Sequence, residues 1–313
     1  MRIIDGNALA QELHASIEDE LQVLRLSAVQ PGLATVIFGD DFGARAYEQH
    51  VRRLAEELEY RYVCEQLGPG VELAEVVATL GKLNADPRIT GILVLQPLPR
   101  GLPEAEINAA LDPLKDVEAV HPVNAGLLAQ GRPRFIPSTP ASCFFILDSY
   151  VRSRGLDPAG FYRGRTLVVV GRSNGVGKPA QWLGLQRDAT VVTCHSGTSE
   201  AGRLADFTRQ ADILIAAAGV PAIVTGEMVR DGVIAVDVGI NAVKDPSTGE
   251  VRIVGDLDFQ SVGAKAEAIT PVPGGVGPVT DVWLVGNTLA AAAMAARVEP
   301  RFGARREGPR SSR

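Results

Sequence analysis

The residues best able to do chemistry in this chain lie in three glycine-bearing stretches. The first, TLVVVGRSNGVGKP at 166–179, is a β-branched run followed by glycines at 171, 175 and 177 and then a helical pattern. Backbone without Cβ atoms lets a pyrophosphate come close, and the helix that follows offers unpaired N–H groups to the anion. Gly171, Ser173, Gly175 and Gly177 are therefore candidate dinucleotide contacts. The spacing departs from G-x-G-x-x-G, so an ordinary tight strand–helix turn fits the same residues. Lys178 is no Walker lysine, because the full G-x-x-x-x-G-K-[ST] pattern is missing.

The next strand end selects the nucleotide. A carboxylate there would hold a ribose 2′-hydroxyl, but the sequence reads Thr193-Cys194-His195-Ser196. Arg172 stands in the glycine turn instead. A guanidinium near hydroxyl-bearing loops suits a 2′-phosphate, so NADP is expected over NAD, with His195 and Ser196 on the same rim. The bland alternative is Arg172 as a solvated loop charge. The remaining stretches are ITPVPGGVGPVT at 269–280 and DVGIN at 237–241. The first is a stiff loop whose backbone can approach a ligand, with Pro273, Gly277 and Thr280 as candidates. The second, with Ile240, ends a strand on the rim where parallel sheets bind ligands.

The elements that must position these residues follow from periodicity. Leu9, Leu13, Ile17, Leu21 and Leu24 mark a helix over 7–26. Strands are predicted at 32–38, 60–66 and 92–95, and helices at 44–58 and 71–84. A helix over 139–154 leaves this first run. Strands at 166–170, 190–193, 212–216 and 233–238 follow, with a helix from 178 and a last one over 281–298. Such alternation predicts an α/β protein with mostly parallel sheets. Two domains are expected: 1–145, completed by a terminal helix at 281–300, and a Rossmann-type 146–280. The polar, basic stretch 301–313 reads as a disordered tail.

Composition excludes several classes. The net charge of −6 gives no basic field for nucleic acid. Cys64, Cys143 and Cys194 are scattered, with neither a disulfide framework nor zinc spacing, and no metal is expected. Apolar runs fall far short of the ~20 residues of a membrane span. Acidic residues occupy the stretch where a secretory signal would be apolar. A cytoplasmic protein is expected.

Together, TPVPGGVGPVT (270–280), VVVGRSNGVGKP (168–179), DVGIN (237–241), Gly255-Asp256, KDVEAVHPVNAGLL (115–128) and Gly39-Asp40 with Tyr47 resemble the bifunctional methylenetetrahydrofolate dehydrogenase/methenyltetrahydrofolate cyclohydrolase family. The resemblance runs over roughly residues 2–298. It implies an α/β catalytic domain joined by long helices to a Rossmann domain, a tetrahydrofolate cleft between them, and a homodimer. It also implies hydride transfer from methylenetetrahydrofolate to NAD(P), then hydrolysis of the methenyl cation to formyltetrahydrofolate. Arg172 and Ser196 would meet the 2′-phosphate. Thr280 and the loop around Gly277 would flank nicotinamide and substrate.

Three positions depart from that pattern. The family's Tyr-x-x-x-Lys starts at Tyr47, but position 51 is Val51. The glutamine that supports this lysine falls on Leu95, with Gln96 one place on; a one-residue shift at a strand end turns a side chain to the other face. The pterin-binding aspartate of Asp-Val-Asp-Gly appears as Glu118, followed by Ala119. Hydride transfer needs geometry, whereas hydrolysis needs a positioned proton carrier. NADP-dependent dehydrogenation with weak or lost cyclohydrolase activity is therefore expected. Alternatives are a repurposed paralogue acting on another folate-derived or cyclic amine, and a folate- or NADP-binding protein without turnover. His50, three residues after Tyr47, is the nearest titratable neighbour, and its plain reading is a solvated or capping histidine.

Overall fold

The computed structural model describes residues 1–244 and 250–302. Among the described residues the chain divides into two compact units, one joining His14–Ser138 to the last helix from Asp281 and the residues up to Phe302, the other joining Met1–Leu13 to Thr139–Thr280. The boundary expected near residue 145 thus falls after Ser138, and Met1–Leu13 leave the first domain for the second. The cause is a pairing too short to show as periodicity. Arg2–Ile3 runs parallel to Ala268–Ile269, and the Gly6 N–H donates to the Gly274 carbonyl at 2.9 Å.

The unit around His14–Ser138 carries a three-stranded parallel sheet in the order Arg61–Leu67, Gly32–Phe38, Gly91–Val94. Its central strand is buried along its whole length, as an unbroken apolar run implies. The chain leaves that strand for a neighbour on one side and later returns to the other side, so the strand's carboxyl end is a switch point, where open α/β sheets bind ligands. The helix Phe42–Glu57 starts there; Asp41 caps it by accepting from the Ala44 N–H at 2.8 Å. Residues after Lys115 run beside the Gly91–Val94 strand, with the Ile92 N–H donating to the Lys115 carbonyl at 2.7 Å. Asn287 ties this stretch to the last helix, donating from Nδ2 to the carbonyls of Val117 and Ile136 at 2.8 Å each.

The other unit is a six-stranded parallel sheet in the order Arg2–Ile3, Ala268–Ile269, Ile234–Asp237, Ile213–Ala216, Thr166–Val170, Thr190–Cys194. Thr166–Val170 lies between the two strands that follow it, which makes its carboxyl end the switch point of this sheet. A hairpin of Asn241–Lys244 and Val251–Val254 was not anticipated as strands.

Two expectations need correction. The last helix spans Val276–Ala295, not 281–298. The stiff loop therefore ends near residue 275, and Gly277 and Thr280 are helical, because Pro278 is tolerated in a first helical turn. The tail does not begin at 301: the N–H groups of Arg301 and Phe302 donate to Glu20 Oε1 at 2.5 and 3.1 Å, and the Phe302 ring packs 5.0 Å from that of Trp283. Residues 303–313 of the expected tail lie outside the described residues. No helix among the described residues is long and apolar enough to cross a membrane.

Candidate active site

The candidate nucleotide turn is made mostly of backbone. Gly171 follows the Thr166–Val170 strand at φ +137°, and a Cβ on it would stand 2.1 Å from the Ala217 carbonyl oxygen. A Cβ on Gly177 would meet the Gly171 carbonyl oxygen at 2.2 Å. Both glycines are required by close packing of strand, turn and helix. Gly175 differs, because nothing lies within 4 Å of its Cβ position. Ser173 Oγ accepts from the N–H groups of Val176 (3.2 Å) and Gly177 (3.4 Å), shaping the turn. Arg172 is exposed, and no described residue pairs with its guanidinium. His195 caps the helix Ser196–Glu200: Nδ1 accepts from the Gly197 N–H at 3.2 Å, and Thr198 Oγ1 accepts from the His195 N–H at 3.2 Å. Ser196 is exposed.

DVGIN and Gly255-Asp256 prove to be one structural knot. Asp237 accepts from the N–H groups of Gly239, Asp256 and Leu257, each at 2.9 Å. Burial nevertheless pushes its carboxyl up to about 6. Asp256 accepts from the N–H groups of Ala218, Gly219 and Val220 and from Asn241 Nδ2. A Cβ on Gly255 would sit 1.9 Å from Asp237 Oδ2, so only glycine fits. These acids hold the loops at the sheet's carboxyl edge, leaving Ile240 71% exposed on the rim. Pro273 is exposed, whereas Thr280 is buried and donates its hydroxyl to the Val276 carbonyl at 3.1 Å.

The second half-site gathers at the switch point of the three-stranded sheet. Val51 and Leu95 are both buried in one apolar cluster with Ile37, Leu93 and Val117, and Tyr47 packs against it. Gln96 is exposed, and its Oε1 accepts from the Leu98 N–H at 3.1 Å. It does not stand in for the residue at 95. Glu118 Oε2 accepts from the Ser138 N–H at 3.1 Å and from the Ser138 hydroxyl, while Oε1 is buried without a partner. Burial pushes the Glu118 carboxyl up to about 7. The turn that carries it is fixed by Asp116, which accepts from the N–H groups of Val120 and His121 and from Asn124 Nδ2. Ala119 sits at φ +52°, the left-handed region that favours the glycine of the family pattern.

Asp281 was missed in the sequence. It accepts a hydrogen bond from the Tyr47 hydroxyl, and its Oδ2 lies 2.9 Å from His50 Nε2. Burial, with Asp281 and Glu118 nearby, holds the Tyr47 hydroxyl well above its ordinary value. The available signal was a lone carboxylate in the apolar stretch VTDVWLVG at 279–286.

Comparison with known proteins shows the family of the chain. The catalytic-domain model of the tetrahydrofolate dehydrogenase/cyclohydrolase family matches residues 4–118, and its NAD(P)-binding-domain model matches 137–296. The chain is 58% identical over 291 residues to the bifunctional protein FolD 3 of Rubrobacter xylanophilus, covering 93% of this chain and 92% of that protein. It resembles the crystal structure of the bifunctional methylenetetrahydrofolate dehydrogenase/cyclohydrolase FolD from Campylobacter jejuni, with a TM-score of 0.84, 34% identity and coverage of 94% and 99% of the two chains. The Trypanosoma brucei methylenetetrahydrofolate dehydrogenase-cyclohydrolase, in complex with NADP and an inhibitor, matches with a TM-score of 0.85, 33% identity and coverage of 95% and 98%.

Proposed function

The chain belongs to the tetrahydrofolate dehydrogenase/cyclohydrolase family, and on that premise we propose that it is an NADP-dependent methylenetetrahydrofolate dehydrogenase whose hydrolysis step is slow. The carrying observation is that Val51 and Leu95 are buried in one apolar cluster that Tyr47 packs against, where neither can give or take a proton. The nucleotide turn, by contrast, keeps both glycines that its packing demands.

The residues present fit NADP. The open space at Gly175 and the unpaired Arg172 suit a pyrophosphate and a 2′-phosphate, with Gly171, Ser173 and Gly177 shaping the turn and His195 and Ser196 on its rim. NADP held there would supply the hydride acceptor. Tyr47 and Glu118 orient the folate; the orphaned Glu118 Oε1 suits an N–H donor of a pterin-like ring. Pro273, Gly277 and Thr280 are proposed as further substrate contacts, and Ile240 and Thr280 as further cofactor contacts. Hydride transfer asks these groups only for geometry. Hydrolysis asks for an acid–base group worth about 10²–10⁴-fold, and positions 51 and 95 supply none.

The test is NADPH formation from NADP and methylenetetrahydrofolate by the purified chain, followed by decay of the methenyl product. NADPH should form, with hydrolysis lagging. Absence of NADPH sinks the reading, and NADP binding without turnover would favour a cleft adapted to another cyclic amine. A homodimer is also proposed, supported by exposed Val251 and Ile253 on one face of the hairpin; Ile253→Glu should yield monomers in sedimentation. Free Cys64, Cys143 and Cys194 support a reducing, cytoplasmic setting.

A further inference from the structure

We propose that His50, oriented by Asp281 across a carboxylate shared with Tyr47, is the proton carrier for water addition to the methenyl carbon. The inference rests on the folate reading above.

Val51 and Leu95 have no proton to move, and the Tyr47 hydroxyl stays protonated at neutral pH. Glu118 has one oxygen bonded to Ser138 and the other, Oε1, shielded from solvent. His50 remains. It lies three residues after Tyr47 on the same helix, so the two share a helical face. Its side chain is 49% exposed, and Nε2 is 2.9 Å from Asp281 Oδ2. With Nε2–H donating to that carboxylate, the neutral ring carries its lone pair on Nδ1, which no described residue engages. A carboxylate that fixes the tautomer and steadies the imidazolium is the arrangement used for general bases elsewhere. The charged groups facing the ring are Asp281 on the last helix and Arg53 and Glu57 on its own. The hydrogen bond that the ring donates to Asp281 raises the imidazole above its ordinary value; burial and Arg53 oppose this and Glu57 adds to it.

The step balances without a further reactant. Water oxygen bonds to the methenyl carbon and one water proton passes to Nδ1, directly or through a bridging water. The bond from that carbon to one ring nitrogen then breaks, and this nitrogen takes the proton back from His50. The hydroxyl on carbon loses its proton as the formyl C=O forms, so one proton is released overall.

The experiment follows methenyltetrahydrofolate decay above the buffer background across about pH 6–9, with NADPH formation measured on the same samples. Hydrolysis should rise with pH through an imidazole titration that hydride transfer, which shares the Glu118 carboxyl, does not show. His50→Gln should lower the ratio of hydrolysis to hydride transfer about 100-fold and flatten the profile. Arg53→Gln and Glu57→Gln, both at exposed positions, should move the midpoint up and down respectively; these variants keep the test open if His50→Gln fails to fold. An unmoved midpoint in both, an unchanged ratio in His50→Gln, or hydrolysis at background alongside NADPH formation overturns the inference alone. Absence of NADPH formation overturns the folate reading and the inference with it.

Discussion

The two candidate sites differ in what they are made of. The nucleotide turn is built from backbone: Gly171 and Gly177 are fixed by contacts of their Cβ positions with carbonyl oxygens, and Ser173 shapes the turn from within. The half-site around Tyr47 is built from side chains, namely Tyr47, Val51, Leu95, Glu118, His50 and Asp281. A backbone site is held by packing that any variant must keep. A side-chain site can change its chemistry while its fold stays. It changes in matched sets, because a lone lysine or glutamine left in the Val51–Leu95 cluster would be a buried group without its partner.

The largest effect that would sharpen this contrast is expected of Val51→Lys with Leu95→Gln. Lysine at 51 alone would be a cation in an apolar wall, held neutral and loosely oriented. Glutamine at 95 gives it an acceptor. The pair together should raise methenyltetrahydrofolate hydrolysis by about 10²–10⁴-fold, well beyond the combined singles. Single-turnover decay of the methenyl absorbance measures it. No gain in the double variant would mean that the cleft has diverged beyond these two positions.

The backbone half-site breaks differently. Gly171→Ala should cost about 3 kcal/mol through its strained φ and a Cβ placed against a carbonyl, whereas Gly175→Ala should leave stability within about 0.5 kcal/mol and weaken NADP instead. Urea denaturation with NADP titration separates the two outcomes. Equal stability losses would remove the distinction between packing glycine and ligand-facing glycine. A smaller effect is expected of Arg172→Ala: NADP affinity should fall about 10–100-fold, as for loss of a charge-assisted bond, with NAD affinity unchanged. Equal loss for both nucleotides would take Arg172 off the 2′-phosphate.

The same contrast governs what could be read from sequence. The strand–turn–helix at 166–185 was legible because glycines, β-branched residues and helix onset are local signals, and the strand Gly32–Phe38 appears with its expected bounds. Arg2–Ile3 was invisible because two residues carry no period; its partner lies at Ala268–Ile269. DVGIN and Gly255-Asp256 were legible as motifs, but their partnership as a loop-fixing knot depends on contacts distant in sequence. Asp281 escaped for the same reason. Its role exists only once the Val276–Ala295 helix packs beside Phe42–Glu57, which brings it to Tyr47 and His50. Val51 and Leu95 were read from a family pattern, and the fold joins them in one cluster.

The smallest predicted effect concerns Glu118. Its carboxyl is pushed up to about 7 from an ordinary 4.5, mainly by burial. Between those two values the folded chain holds a proton that the unfolded chain has released. Folding stability must therefore fall as pH rises through this window and level off above it. Glu118→Gln cannot ionise, so this part of the fall should vanish, a difference of about 1 kcal/mol once the carboxylate is allowed to relax toward water. Asp237, raised in the same direction, is present in both proteins and cancels in the comparison. The absolute stability of the variant is not the readout, because the amide nitrogen replaces an acceptor that has no partner and its own donors need one. The slope is. Urea midpoints from about pH 5 to 8 measure it, and folate affinity should fall in parallel while NADP affinity holds. Parallel slopes in parent and variant would mean that the Glu118 carboxylate is already ionised in the fold, and its orphaned oxygen would then have to be satisfied by water rather than held ready for a substrate N–H.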